Sequence, residues 1–129
     1  MNPNRRIFVK NIAIICPVRN VDTKTQEIIQ DYVRKLEKQG HRVHWPPRDN
    51  DQSDPIGIRI CKQMRQALKN AHEIHVWYEP ESEGTIFDLG MLFAFLLLDS
   101  GKEVVIINRD QVGPTPHKSF QNVLLELAR

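Results

Sequence analysis

A short polar loop that runs into a very apolar helix carries the clearest chemical signal in this sequence. Residues 79–91 read EPESEGTIFDLGM, and Asp88 falls in the predicted first turn of the helix. Backbone N–H groups at a helix start favour negative charge, so we expect Asp88 to be ionised there. The neighbouring residues expected to form an anion site are Ser82, Gly84 and Thr85. An ionised carboxylate in a crevice can attack an electrophilic sugar carbon or orient a water molecule.

The same spacing also fits a purely structural role for Asp88. The pair Thr85 and Asp88 has the spacing of a capping box, in which the acid accepts a hydrogen bond from the backbone N–H of the cap residue. Such a cap adds on the order of 1 kcal/mol of stability and needs no ligand. Gly90 favours the functional interpretation, because glycine costs a helix interior up to about 1 kcal/mol relative to alanine. It usually marks close packing or a close ligand approach.

Two more loops carry polar residues, each directly after a predicted strand. Arg19 and Asn20 follow the first strand and can reach a phosphate or a sugar hydroxyl, or simply form a solvated surface turn. Asp51 follows the second strand, has no evident capping role and can accept a hydrogen bond from a ribose or a base. Asp54 is better explained as a helix cap. Trp45, at a strand end, can stack on a base or pack in the core.

The sequence lacks the motifs of the common cofactor and metal sites. No GxxxxGK[ST] or GxGxxG segment is present, and the five histidines show no HExxH spacing. The two cysteines, Cys16 and Cys61, lie far apart without CxxC or Cys/His metal spacing, which is typical of reduced thiols. We therefore expect no metal and no cofactor.

The elements that must position these loops alternate between strand and helix. The predicted strands span 7–16, 41–45, 73–78 and 103–108, and the predicted helices span 23–39, from 54 onward, 85–100 and from Ser119 onward. The strands are continuous apolar runs, which is typical of a parallel sheet covered on both faces. The sequence thus predicts an α/β fold whose ligand crevice lies beyond the carboxyl ends of the strands.

The composition of the sequence excludes further classes of protein. The 129 residues are 40% hydrophobic and 26% charged, which predicts one globular domain over residues 1–129. A net charge of +2 with scattered basic residues argues against a nucleic acid polymer as partner. The apolar run 86–98 is shorter than the roughly 20 residues of a membrane span and carries Asp88. With no signal-like amino terminus, these features predict a cytoplasmic protein that binds no membrane.

Two segments resemble those of the nucleoside 2-deoxyribosyltransferase superfamily, including its deoxynucleoside monophosphate N-glycosidase branch. Residues 82–90 (SEGTIFDLG) are similar to that family's S-x-G-x-x-x-E-L-G segment after the third strand. Residues 16–20 (CPVRN) resemble its small-residue loop ending in arginine after the first strand. The resemblance implies a Rossmann-like, flavodoxin-type three-layer sandwich with a mostly parallel sheet of four to five strands.

The resemblance also implies an activity. Members cleave or exchange the N-glycosidic bond of a nucleoside or nucleotide, and most form homodimers or larger assemblies. An acid at the position of Asp88 attacks the anomeric carbon, while residues at the positions of Ser82, Gly84 and Arg19 hold the 5′-phosphate in the monophosphate branch. Here aspartate replaces the family's glutamate, and no acid lies between Asp54 and Glu73, where the family carries a second one.

Two functions of different class follow from the sequence. The first is an enzyme, a nucleoside deoxyribosyltransferase or nucleotide N-glycoside hydrolase, with Asp88 as nucleophile. Its substrate-binding residues would be Arg19, Asn20, Asp51, Ser82, Gly84 and Thr85. The alternative is a non-catalytic nucleotide-binding or sensing module on the same fold. A structural domain in which Asp88 only caps a helix is a third, simpler interpretation.

Overall fold

The computed structural model describes residues 8–99 and 101–129, and its centre is a four-stranded parallel sheet of order β2-β1-β3-β4. The strands are β1 (Asn11–Ile15), β2 (Arg42–His44), β3 (Glu73–Val76) and β4 (Glu103–Ile106). The helices are α1 (Thr23–Lys38), α2 (Pro46–Asp49), α3 (Ile58–Asn70), α4 (Glu83–Leu98) and α5 (Phe120–Leu127), and a 3-10 turn spans Arg109–Gln111. Helices cover both faces of the sheet, so the predicted Rossmann-like α/β class is confirmed. The ends of two predicted elements, Ile7 and Ser100, lie outside the described residues.

The strand order places a topological switch point at the centre of the sheet. From β1 the chain first adds β2 on one side and then β3 on the other, with both pairings parallel. In open parallel sheets the connections on the two sides of such a point diverge, which leaves a crevice beyond the carboxyl ends of the strands. The loops that follow β1 and β3 therefore border the crevice.

Two apolar layers hold the sheet between its helices. The larger layer joins Met64 and Leu68 of α3 and Leu92 of α4 to strand residues such as Ile15 and Ile74, all almost fully buried. The smaller layer joins Ile29 and Val33 of α1 to Ile12, Ile14 and Cys16 of the first strand and its end. Because successive strand residues alternate between the layers, both faces of β1 are apolar.

A buried polar chain crosses the α1 side of the sheet. His75 is 5% exposed, and its Nε2–H donates to Glu73 Oε1 at 2.9 Å. A carboxylate only accepts, so Nδ1 accepts from the Tyr32 hydroxyl at 2.5 Å. Lys10 pairs with the other Glu73 oxygen. Burial lowers the pKa of His75, so the ring stays neutral. Each of the four side chains in this hydrogen-bonded series thus has a polar partner.

The connection between β2 and α3 differs from the prediction. Pro46 and Pro47 begin the short helix α2 where a polar loop is expected, since proline suits a first helical turn. The following helix begins at Ile58 and not at Asp54, because Gly57 takes a left-handed conformation (φ 89°) through which an α-helix cannot continue. Asp54 still accepts hydrogen bonds from the Ile56 and Arg59 backbone N–H groups.

The longest helices of the described residues are α1 and α4, with 16 residues each. Within residues 8–99 and 101–129, none of the helices combines the length and hydropathy needed to cross a bilayer.

Candidate active site

Helix α4 begins at Glu83, two residues earlier than predicted, because Ser82 is the cap. The Ser82 Oγ accepts a hydrogen bond from the Thr85 backbone N–H at 3.2 Å and another from Thr85 Oγ1 at 2.9 Å. Thr85 is fully buried and its hydroxyl donates to Ser82, whereas the half-buried Ser82 hydroxyl accepts both bonds and keeps its own O–H donor. The earlier start moves Asp88 into the second turn, where it cannot complete a capping box with Thr85.

Asp88 is partly buried and makes no hydrogen bond or ion pair with any other described residue. Burial raises the pKa of its carboxyl from 3.8 to about 7. The helix start therefore does not lower the pKa of this carboxyl as the sequence predicts, and about half of Asp88 is ionised at pH 7. The reason is position, because N–H groups of the second turn already bond within the helix and the favourable field decays within the first turn.

Cys16, the residue directly after β1, lies near Asp88 of α4. Its thiol is buried, and burial together with the nearby Asp88 charge raises the pKa of Cys16 to about 12. The thiol is therefore neutral and unreactive at ordinary pH. A carboxylate carried by the element after β3 thus lies near the end of β1, although Asp88 does not line either of the cavities of about 360 and 220 Å³.

The start of α4 offers backbone donors close to this carboxylate. Thr85 N–H is capped, and Ile86 N–H bonds to Ser82 carbonyl oxygen. The N–H groups of Glu83 and Gly84 have no acceptor among the described residues. Gly84 is exposed, and a Cβ placed on it would meet no atom within 4 Å. An anion can therefore approach these two N–H groups without steric obstruction.

The loop after β1 brings two further predicted residues to the same edge of the sheet. Arg19 and Asn20 are both exposed, and Asn20 has a left-handed backbone (φ 56°), which asparagine tolerates better than most residues. Arg19 makes no ion pair with any described residue, so its guanidinium remains available to a phosphate.

Asp51 is occupied by its own loop. Its carboxylate accepts from Ser53 N–H and Oγ, and it pairs with Arg59 at 2.8 Å. The hydrogen bonds from Ser53, followed by that from Arg59, lower the pKa of Asp51 to about 2. The structure thus gives Asp51 a turn-forming role, and its oxygens are already engaged by protein donors.

A cavity beside the crevice was not foreseen from the sequence. It holds about 220 Å³ between α1 and the loops after β1 and β2, and Cys16 is part of its wall. Trp45 also lines it, and its indole Nε1 is buried without a hydrogen-bond partner among the described residues. The sequence places Trp45 at a strand end, but this position alone does not predict a cavity.

Asn108 is a second residue that sequence reasoning missed. It follows β4, is 2% exposed, and binds both backbone groups of Tyr78: Tyr78 N–H donates to Oδ1, and Nδ2 donates to Tyr78 carbonyl, each at 2.8 Å. Tyr78 begins the loop that leads to Ser82 and α4. A polar residue directly after an apolar strand was the available signal. Among the described residues, no three His, Cys, Asp or Glu side chains converge as a metal site requires.

Comparisons with known proteins give one informative likeness. No family model matches the sequence, and no curated protein matches it significantly. The solved structure of the Clostridium botulinum CMP N-glycosidase BcmB superposes with a TM-score of 0.54 at 18% identity. The match covers 91% of this chain and 81% of that chain. At this identity the likeness shows a shared fold.

Proposed function

We propose that this chain cleaves or exchanges the N-glycosidic bond of a nucleoside or nucleoside 5′-monophosphate, with Asp88 as the nucleophile. One observation carries the proposal: a partly buried carboxyl with no partner among the described residues lies near the end of β1, the strand at which the order of the parallel sheet reverses. The fold shared with a CMP N-glycosidase supports it. So does the similarity of residues 82–90 to the nucleoside 2-deoxyribosyltransferase superfamily, in which we place the chain.

In the proposed reaction the ionised Asp88 attacks C1′ of the sugar, and the bond from C1′ to the base nitrogen breaks. The base leaves with the bonding electron pair and takes a proton from solvent or a donor not yet assigned. Water then attacks C1′ of the glycosyl ester and releases the sugar and Asp88. In the transfer reaction a second base takes the place of water.

A 5′-phosphate would bind at the start of α4. The Glu83 and Gly84 N–H groups supply two uncapped donors beside an open glycine. Arg19 supplies a mobile positive charge from the neighbouring loop, and Asn20 shapes that loop. In this arrangement Ser82 and Thr85 act indirectly, by fixing the first turn of the helix.

We extend the proposal to a single cytoplasmic domain that forms a homodimer. The second half of helix α4, residues 91–98, is apolar on all sides, and several of its large side chains remain exposed, with Leu97 85% and Phe93 55% accessible. Such a patch on a helix outside the core marks a protein contact.

A non-catalytic nucleotide-binding module is the second candidate, and one observation favours it. With a pKa of about 7, a large share of Asp88 is protonated at neutral pH and cannot act as a nucleophile. No second acid among the described residues contributes to this pKa, so no partner for proton transfer is evident.

The test is release of free base from deoxynucleosides, nucleoside monophosphates and deoxynucleoside monophosphates, followed chromatographically. We expect release by the wild type, loss of release in Asp88→Asn, and no change in Asp99→Asn. Asp99 is the matched control because it is exposed and lies at the far end of the same helix. Tight nucleotide binding without any base release would favour the sensing module. Equal release by wild type and Asp88→Asn would exclude Asp88 as nucleophile.

A further inference from the structure

We propose that His41 and His72 form a pH-sensitive switch that holds the start of the central strand β1. Each imidazole accepts a hydrogen bond from a backbone N–H group at the start of β1, and acid converts that acceptor into a donor. The start of the strand is then released while the rest of the sheet stays folded. The switch lies at the amino ends of the strands, opposite the candidate active site, and it does not depend on the proposed function.

The two strands that flank β1 begin in the same way. Strand β2 directly follows His41 and β3 directly follows His72, and both segments read H-x-[VI]-H. Continuing the observed strand register by one residue places His41 opposite Lys10 and His72 opposite Asn11. The two histidines therefore lie on either side of the start of the central strand.

Both side chains take the place of a strand carbonyl. Lys10 N–H donates to His41 Nδ1 at 3.2 Å, and the Lys10 carbonyl accepts from Arg42 N–H at 3.0 Å. Asn11 N–H donates to His72 Nδ1 at 2.8 Å, and the Asn11 carbonyl accepts from His72 N–H at 2.8 Å. The start of β1 is thus bound on both sides, and on each side an imidazole supplies the acceptor.

These two bonds exist only while the rings are neutral. A neutral imidazole has one acceptor nitrogen, whereas a protonated imidazole has two donors and no acceptor. A backbone N–H group can only donate, so protonation of His41 or His72 places two donors against each other. His72 is exposed and His41 is half-buried, so protons from the solvent can reach both rings. Histidine is also the side chain whose charge ordinarily changes between about pH 5 and 8.

The buried His75 does not share this sensitivity. Its Nδ1 faces the Tyr32 hydroxyl at 2.5 Å, and its Nε2 faces Glu73 at 2.9 Å. A hydroxyl can accept as well as donate, so a protonated His75 would keep both partners. Burial lowers the pKa of His75, which keeps its ring neutral. The switch therefore consists of the two rings that face backbone N–H groups.

The cations around the two rings oppose a further positive charge. Lys10 is bonded to His41 through its backbone, and its ammonium stays charged because a hydrogen bond to a carboxylate raises the pKa of Lys10. Lys102 donates at 2.7 Å to the backbone carbonyl of the residue directly before His72. Protonation of either ring would therefore add a positive charge beside an existing one, which is unfavourable.

The carboxylates at this end of the sheet already face other groups. Glu73 pairs with Lys10 and accepts from the His75 ring, and the Glu103 charge also acts on Lys10. Asp99 lies 3.7 Å from the Lys102 ammonium. Among the described residues, His75 is the histidine that forms an ion pair, and the two rings of the switch form none. A protonated ring would thus gain no carboxylate partner in exchange for the lost backbone bond.

The first measurement is the protonation state of the two rings, followed by NMR of the 15N-labelled wild type. At about pH 7.5, His41 and His72 should both be neutral with the proton on Nε2, because Nδ1 accepts a backbone bond. A proton on Nδ1, or a charged ring at this pH, would overturn the proposal. This measurement needs neither a variant nor an activity.

The second measurement is hydrogen exchange of single backbone amides, corrected for the intrinsic effect of pH on exchange. Between about pH 7.5 and 5.5, protection of the Lys10 and Asn11 amides should fall at least about tenfold in the wild type and less than about twofold in the double variant His41→Asn/His72→Asn. Asparagine offers an acceptor oxygen near the position of Nδ1 and does not titrate. His117→Asn is the matched control and should behave as the wild type, because His117 is exposed on another part of the chain.

The Trp77 amide distinguishes local release from unfolding. It donates to the Ile15 carbonyl at 2.8 Å, at the other end of the sheet, and should keep its protection at about pH 5.5. A parallel loss at Trp77, an equal fall in wild type and double variant, or no fall in the wild type would each refute the switch. If the double variant has lost protection already at about pH 7.5, the comparison is made with His72→Asn and the Asn11 amide alone, under the same criteria.

Discussion

The Asp88 carboxyl is partly buried and has no hydrogen-bond or ion-pair partner among the described residues. Its chemistry depends on both features. A carboxyl that forms an ion pair or a cap is ionised at neutral pH, as Asp51 is, because its partners lower the pKa. Asp88 has only burial, which raises the pKa to about 7. It therefore changes charge within the physiological range, which is common for groups that react.

The pH dependence of base release follows from this pKa. A nucleophilic Asp88 must be ionised, so kcat/KM should rise about tenfold per pH unit below pH 7 and become constant above it. The measurement is initial rate against pH at low substrate, with circular dichroism at each pH as a check on folding. A rate that falls as pH rises through 7 would make Asp88 a proton donor and contradict the nucleophilic role.

Asp88→Asn should stabilise the fold, and the gain should depend on pH. Burial raises the folded pKa from 3.8 to about 7, so ionisation disfavours the folded state progressively between these values and fully above them. Allowing for partial solvent access, we expect a gain of about 1–3 kcal/mol in unfolding free energy at about pH 8 and almost none at about pH 4. Urea unfolding at both pH values checks this. A variant less stable than wild type at about pH 8 would show that the carboxylate has a stabilising contact.

Sequence reasoning singled out Asp88 as a candidate but did not predict its environment. The residue types and spacing directed attention to the start of α4, yet the start itself was placed two residues late, at Thr85 instead of Glu83. That small shift moves Asp88 beyond the free N–H groups of the first turn, and burial then raises its pKa without an opposing contact. Exposure and hydrogen bonding of single side chains depend on contacts between distant segments, which spacing alone does not contain.

The loop between β3 and α4 is fixed by hydrogen bonds at both of its ends. Ser82 fixes its far end by capping α4, and Asn108 fixes its near end by binding both backbone groups of Tyr78. The loop that leads into the helix of the candidate carboxylate is thus held by a residue that follows β4.

Asn108→Ala should destabilise the protein and reduce activity. The substitution leaves the Tyr78 N–H and C=O without their partner inside the protein, which we expect to cost about 2–4 kcal/mol of unfolding free energy. Asn70→Ala serves as control, since Asn70 is exposed and such substitutions usually change stability by less than about 0.5 kcal/mol. Equal stability of the two variants, measured by urea unfolding, would show that the clamp on Tyr78 contributes nothing.

Substitutions of Ser82 can separate capping from phosphate binding. Ser82→Ala removes the cap and should lower the unfolding free energy by about 1 kcal/mol, with little effect on phosphate affinity. Ser82→Asp keeps a capping oxygen but adds a negative charge, so stability should persist while inorganic phosphate binds at least about tenfold more weakly. Calorimetric phosphate titration checks both. If Ser82→Ala weakens phosphate as much as Ser82→Asp does, the hydroxyl itself contacts the anion.

The predictable elements are those defined by local signals. The span of α1 follows from its apolar spacing, and the last helix begins after Ser119, as the sequence predicts; the observed caps are Asp22 and Ser119. The connection from β2 to α3 was not predictable, because proline can close a strand as well as begin a helix, and the left-handed backbone angle of Gly57 delays the start of α3.

At the scale of the whole molecule, the exposed apolar face of α4 predicts self-association. We expect a dimer of two 15.0 kDa chains, or about 30 kDa, with this face covered because exposed patches of this kind are unfavourable in water. Phe93→Glu should give the monomer mass in sedimentation analysis. Ile56→Glu is the control, since Ile56 is 85% exposed but lies between α2 and α3. A wild-type protein that stays monomeric at all concentrations would contradict the prediction.

The hydrogen bonds between Asn108 and Tyr78 can form only late in the synthesis of the protein. The two residues are 30 positions apart, and the clamping amide is made later than the loop it holds. A ribosome that has released α4 but not β4 has produced a nascent chain whose Tyr78 backbone groups still bond to water. The loop that leads to α4 therefore reaches its final conformation only after the residues that follow β4 have been made.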